Sequence, residues 1–522
     1  MARAYADVGV TWDEPPLIDN GRWVWAWYAS GFKDTSAVTG PVSRYGGLFD
    51  VLAFAVSRVS PLGPYETKHL LTSLVAVLGI VATWKMAALL RNSRAAFLSA
   101  TLLTLTPAWL GHGLFNPKDI PFATGAAWSV YAMLLAAMEP VPSTYPAAER
   151  RSHPVSWRSV IISGCATGAA LGVRAAGLFL LSYLAFGTIA RSIASQPRSA
   201  DKLRGIARDL LRNAPRVGVA TLIAWFVMIA SWPWAQHAPI SRPLRAASAA
   251  RHFRWNGRML FRGEFVHSTH LPRSYLPTWF AVTLPEIYFL AGLCGVALCV
   301  RALWKRDPTA RPGVGITCLA LAVSLPLAAA MVTRPVLYDA HRHFLFVLPP
   351  LAALAGIALS DFMTALELPS ALRNLAAAAC IGLLTLTAVE MAQLHPYEYA
   401  YFNRITGGLP KAYGRFETDY WGASYREGVA WVIDNVRDKN GRRVRVCSCG
   451  YFDEVSHYLS ESKPAAQHFQ VVRNPEDADV FLATTRIGCR KAGGEVLHVV
   501  ERQGVPLLYV IRTLRYETHG GV

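Results

Sequence analysis

Two adjacent carboxylates, Asp13 and Glu14, stand between Trp12 and Pro15, and a third, Asp119, closes the run His112-Gly113-Leu114-Phe115-Asn116-Pro117-Lys118. A carboxylate held beside a hydroxyl takes its proton as the oxygen attacks, so each is a candidate general base. Each also has a local alternative. Asp13 could cap a helix starting at Pro15-Pro16, and Asp119 sits where the helix after the Asn116-Pro117 turn would begin.

Arginines supply the complementary chemistry. Residues 237–280 carry Arg242, Arg245, Arg251, Arg254, Arg258, Arg262 and Arg273 against one acid, Glu264. A second group, Tyr338-Asp339-Ala340-His341-Arg342-His343, gathers three potential cations and a carboxylate within six residues. Guanidinium groups hold phosphate through paired, charge-assisted hydrogen bonds. Anionic lipid headgroups are the unspecific alternative. His341 and His343 leave room for a divalent metal, but a spacing of two at a helix start points the rings apart, which favours phosphate contact.

The elements that must position these groups are apolar. The chain of 522 residues is 53% hydrophobic and 16% charged, and its apolar residues fall in runs rather than stripes. About ten runs have the length and low charge of a membrane span. They cover 70–90, 95–112, 120–138, 159–173, 176–193, 217–236, 281–303, 313–332, 343–362 and 371–391. The fourth and fifth are separated by a turn at Gly172-Val173-Arg174. A net charge of +18 would suit nucleic acid in a soluble protein. Here the basic residues lie between apolar runs, as membrane topology demands, and no nucleic-acid partner is expected.

The connections Arg91 to Arg94, Arg150 to Arg158, Arg191 to Arg216 and Arg301 to Arg311 all fall on one side of ten alternating spans. By the positive-inside rule that side is the cytoplasm, in a multi-pass protein of a bacterial inner membrane. All three carboxylates and both arginine groups then face outward. An exterior start before an even number of spans implies one more helix upstream, since Met1 to Val10 is no signal peptide.

Three regions result. Residues 1–69 form an extracytoplasmic segment with the Asp-Glu pair and surface helices at 17–31 and 46–59, with Trp23, Trp25, Trp27 and Tyr28 as interfacial anchors. Residues 70–391 form the multi-span membrane domain. Residues 392–522 form a small extracytoplasmic α/β domain, with strands at Arg443 to Cys447, Val480 to Ala483 and Leu497 to Ile511, the last broken at Gln503-Gly504, and a helix over Tyr425 to Val436. Cys447, Cys449 and Cys489 in this tail could supply one disulfide in an oxidising compartment.

In their order and common sidedness these motifs resemble the glycosyltransferase-C superfamily, in particular its family 39: protein O-mannosyltransferases and bacterial lipid-modifying relatives. The resemblance covers roughly residues 10 to 400. In that family an Asp-Glu pair precedes two surface helices, as Asp13 and Glu14 do, and Phe115 to Asp119 matches its second acidic exterior loop. Leu260 to Glu264, with Leu276-Pro277 and Thr283-Leu284-Pro285, is similar to a late exterior loop, and Tyr338 to Pro350 places Arg342 in the lipid-phosphate position. The resemblance implies transfer of a sugar from a polyprenyl-phosphate donor to a hydroxyl of a protein, lipid or glycan acceptor, by inverting displacement. Asp13 would be the base, supported by Glu14 and Asp119. Lys118, Arg251, Arg254, Arg258, Arg262, His341 and Arg342 would bind substrate. The tail matches no acceptor-recognition domain of the family. A transporter or flippase for an anionic lipid-linked substrate would also want exterior arginines, but it calls for internal repeats and charges deep in the spans.

Overall fold

The computed structural model describes residues 4–139, 154–195, 202–251, 255, 257–304, 311–365, 369–438, 441–461, 463–486, 489 and 494–513. Arg254 lies outside them, and of Arg251 only the backbone is described.

Among the described residues seven helices are long and apolar enough to cross a membrane: Pro64–Leu90, Asp119–Met138, Ala175–Ser195, Lys202–Ala230, Gly313–Thr333, Arg342–Thr364 and Ser370–Leu394. The chain is a multi-pass membrane protein. The other three expected spans are also helical, and one of them keeps 19 residues as Glu286–Trp304, about 28 Å of helix. Trp157–Leu171 has 15 residues, about 22 Å of helix against a hydrocarbon layer of about 30 Å. The run 95–112 divides into Ser93–Thr104 and Pro107–Phe115, and 281–303 divides into Tyr275–Thr283 and Glu286–Trp304. Pro107 and Pro285 explain both breaks, because proline can start a helix but cannot continue one.

The expected turn at 172–174 is present: Trp157–Leu171 ends there and Ala175–Ser182 restarts as a 3-10 turn. Small residues let the neighbouring helices close up. A Cβ on Gly164 or Gly168 would lie 2.7 Å from Ile223 or Val227 of the Lys202–Ala230 helix, so a larger residue would force that pair apart.

Helices Glu14–Ala29 and Leu48–Ser57 occupy the places expected of the surface helices. The Asn20 amide donates to Asp50 at 2.8 Å, and Lys68 pairs with the same carboxylate at 2.8 Å. Trp25 and Tyr28 are exposed, but Trp27 is 6% exposed. Its indole N–H donates to Gln236 at 3.0 Å, so Trp27 is a packing residue rather than an interfacial anchor.

The tail carries a five-stranded sheet of order β4-β3-β5-β7-β6, made of β3 Val444–Ser448, β4 Phe469–Val471, β5 Val480–Thr484, β6 Gly494–Arg502 and β7 Val505–Thr513. A separate antiparallel ribbon pairs β1 Arg258–Phe261 with β2 Glu264–His267. β3 lies parallel to β4 and β5, with Val446 opposite Val480, and β7 is antiparallel to both its neighbours. The β6–β7 hairpin turns at Gln503 and Gly504, both at positive φ, as a two-residue hairpin turn requires. β4 was not foreseen; three residues are too few to show a pattern. Cys449 pairs with Cys489, and Cys447 stays a buried free thiol.

Candidate functional site

The charged motifs converge at one end of the helical bundle. Lys118 Nζ lies 3.2 Å from Asp13 Oδ2. Arg342 Nη1 donates to Asp119 Oδ2 at 2.9 Å and to Asp13 Oδ2 at 3.4 Å. Its Nε lies 3.1 Å from Asp339 Oδ2. Arg174 completes the group by pairing with the other Asp119 oxygen. At the opposite end of the bundle Arg91 pairs with Asp361 at 2.6 Å.

Local structure frees these side chains for one another. Asp13 stands at the N-cap of Glu14–Ala29 but makes no capping hydrogen bond with its side chain. Glu14 reaches back instead, accepting the Thr11 N–H at 2.8 Å and its hydroxyl at 2.9 Å. Likewise Asn116, not Asp119, serves the next helix start: its Oδ1 accepts the N–H groups of Lys118 and Asp119 at 3.2 and 2.8 Å, and its Nδ2 donates to Asp119 at 2.9 Å. Neither aspartate side chain therefore caps its helix: Asn116 does so for the second, and at the first the prolines Pro15 and Pro16 leave fewer N–H groups to cap.

Close backbone approach brings Arg174 in. A Cβ on Gly46 would lie 2.1 Å from Gly172 O, and Leu48 N donates to the same oxygen at 3.1 Å. The loop before Leu48 therefore lies directly on the turn that carries Arg174, and it sets the Tyr45 ring 4.7 Å from Lys118 Nζ. On the tail side Trp421 and Tyr338 flank the Arg342 guanidinium, each ring centroid 4.8 Å away.

The three carboxylates differ in access. Asp13 keeps 20% of its side chain exposed, against 1% for Asp119 and 0% for Glu14. Glu14 faces away from the arginines and pairs with His69 at 2.8 Å. Burial would raise the Asp13 carboxyl, but Lys118 and Arg342 outweigh it and hold it below the usual carboxylate range. Burial would lower the Lys118 ammonium, and Asp13 more than offsets this.

The expected substrate-binding residues divide. Lys118 and Arg342 are in the cluster. His341 is not: its Nδ1 faces the Thr283 hydroxyl at 3.4 Å and its ring lies 4.8 Å from Phe280. Burial takes its pKa down to about 4, leaving it neutral. Arg258 and Arg262 are exposed on the β1–β2 ribbon, where Arg258 donates to His267 at 3.3 Å. The ribbon docks on the tail, with Gly263 N donating to Arg415 O at 2.9 Å. Tyr45, Asn116, Asp339, Trp421 and Arg486 join the centre without having been singled out as ligands. Arg486 lies two residues past Val480–Thr484, a strand buried throughout, a place that the sequence does not mark as a ligand's.

A cavity of about 1840 Å³ opens beside the cluster. Arg174, Tyr45, Tyr338 and His343 line it near the charges, and Phe122, Phe179, Leu321, Leu325 and Phe346 line its apolar length. Among the described residues no three His, Cys, Asp or Glu side chains gather as a metal cage. The donor set is rich in cations and suits an anion.

No family model and no curated protein matches this chain. Among solved structures it is similar to the archaeal oligosaccharyltransferase AglB from Archaeoglobus fulgidus, in complex with an inhibitory peptide and a dolichol-phosphate. The TM-score is 0.48 at 14% identity, over 91% of this chain and 66% of that one, so this chain spans just under two thirds of that protein's length. It is also similar to ArnT from Cupriavidus metallidurans bound to undecaprenyl phosphate, with a TM-score of 0.46 at 14% identity, over 98% of this chain and 95% of that one.

Proposed function

We propose that this protein transfers a sugar from a polyprenyl-phosphate donor to an acceptor hydroxyl on the extracytoplasmic side of a bacterial inner membrane. One observation carries the proposal: a cation-rich cluster with a single accessible carboxylate sits at the end of a long apolar cavity. Lys118, Arg174, Arg342 and Arg486 face Asp13, Asp119 and Asp339. Four cations against three carboxylates leave room for one negative charge, which a phosphodiester supplies. The apolar length of the cavity suits the polyprenyl chain.

Asp13 serves as the base. Asp119 is buried with both oxygens held by arginines, and Glu14 is committed to Thr11 and His69. Bound phosphate would offset Lys118 and Arg342, the charges that depress Asp13, and so restore basicity where the acceptor arrives. As the acceptor oxygen forms its bond to the anomeric carbon, the bond from that carbon to the phosphate oxygen breaks. The proton passes to Asp13, the phosphate leaves against Lys118 and Arg342, and direct displacement inverts the sugar carbon. The basic connections at the other end of the bundle support the outward orientation, as does the Cys449–Cys489 disulfide, which suits an oxidising compartment.

Mass spectrometry of lipid retained by the purified protein tests the donor class. We expect polyprenyl phosphate, free or sugar-linked, from wild type and little from Arg342→Ala. Equal recovery of ordinary phospholipid alone from both proteins would contradict the proposal.

A further inference from the structure

We infer that the C-terminal domain is part of the centre, and that its Arg486 is a positioning residue that holds Arg342 through Asp339. The inference rests on the proposed donor-phosphate role of Arg342.

Asp339 lies between two guanidinium groups. One carboxylate oxygen is 3.1 Å from Arg342 Nε, and the other pairs with Arg486 Nη2. All three side chains are at most 7% exposed, so the pairs are little screened by water. The segment is also held against its own preference. Asp339 and Ala340 have φ of 58° and 60°, consecutive left-handed residues of a kind that residues other than glycine seldom adopt together. Such a conformation persists only where its surroundings over-determine it. Arg486 is an anchor that reaches this turn from another part of the chain.

Arg486 is itself fixed from the tail. Its Nη1 donates to Tyr420 O at 2.7 Å and to the Tyr451 hydroxyl at 3.4 Å. Trp421, next to that carbonyl, covers the Arg342 guanidinium and accepts the Trp12 N–H through its backbone oxygen at 3.4 Å. The tail therefore orients Arg342 from one side and reaches the strand of chain carrying Asp13 from the other. A guanidinium must present its N–H fork in one plane to grip phosphate; the Asp339 charge 3.1 Å from Nε, which makes no hydrogen bond of ordinary geometry among the described residues, draws that edge of Arg342 toward the tail and so biases the plane.

The test uses the full-length protein in detergent, with farnesyl phosphate as a short polyprenyl-phosphate probe and melting followed in parallel. Arg486→Met should weaken probe binding by about 10-fold, the size expected of a coupled neighbour. Arg486→Lys should recover most of that loss. In an Asp339→Asn background, Arg486→Met should add nothing, because its route to Arg342 is already cut. Should Arg486→Met fail to fold, Asp339→Asn alone must show the same weakening. Wild-type affinity in Arg486→Met or Asp339→Asn, with only melting lowered, would reduce Arg486 to a domain brace and overturn the inference. Unchanged binding in Arg342→Met would overturn the donor reading itself, and this inference with it.

Discussion

Arg342 joins the two candidate acids of the centre: its Nη1 lies 3.4 Å from Asp13 Oδ2 and 2.9 Å from Asp119 Oδ2, though the chain separates it from Asp13 by 329 positions. One guanidinium nitrogen thus sets the distance between the accessible carboxylate and the buried one. Its Nε edge lies 3.1 Å from Asp339. The phosphate and the base can be no better placed than this side chain.

Replacement of Arg342 by lysine keeps the charge and discards the fork. An ammonium cannot span Asp13, Asp119 and Asp339 together. We expect Arg342→Lys to bind a polyprenyl phosphate about 10-fold more weakly than wild type and to slow transfer further, as kcat and KM measured side by side would show.

Glu417 gives a pH signature in stability. It is 4% exposed, and among the described residues neither oxygen makes a hydrogen bond of ordinary geometry, the Leu260 backbone being near enough only to exert a weak pull. Burial raises its pKa to about 8 despite the pull of Arg486, from an ordinary value of 4.5. Between those values the folded protein holds a proton that the unfolded chain has released, so stability falls as pH rises through this window. Glutamine cannot ionise. The melting temperature of Glu417→Gln should therefore exceed that of wild type by a margin that grows up to about pH 8 and then levels off.

Gly46→Ala tests the close approach that places Arg174. The added methyl would meet a backbone carbonyl at 2.1 Å, which no side-chain movement relieves. A loss of roughly 1–3 kcal/mol is expected from the overpacking, with weaker probe binding as Tyr45 and Arg174 shift. Melting and binding measured on the same sample check both effects.

The positions of the acids were legible because proline, tryptophan and turn residues mark Asp13 and Asp119 locally. Arg342 was legible because three potential cations crowd a short connector. For Arg258 and Arg262 the density of arginines was a signal of composition rather than of place, while Arg254 and the Arg251 side chain lie outside the described residues. Arg258 and Arg262 are exposed on a ribbon whose fold depends on the tail. Arg486 and Trp421 could not be read as ligands, since their role arises only when the tail folds back onto Asp339 and Arg342. The ten apolar runs likewise marked helices, but Pro107 cuts 95–112 into two pieces too short to span, and Pro285 moves the start of 281–303 to Glu286.

The most direct measurement is transfer by Asp13→Asn. Membranes carrying wild type or variant would be supplied with a panel of radiolabelled polyprenyl-phosphate sugars, and both label transferred to acceptor and donor retained by the protein would be counted. Asparagine keeps the size and the capping ability of aspartate but cannot take a proton at neutral pH. Transfer should fall by ~10²-fold or more, with donor binding little changed because Lys118, Arg174 and Arg342 remain. Transfer at the wild-type rate by Asp13→Asn would contradict its role as base, and no transfer from any donor by wild type would contradict the proposed reaction.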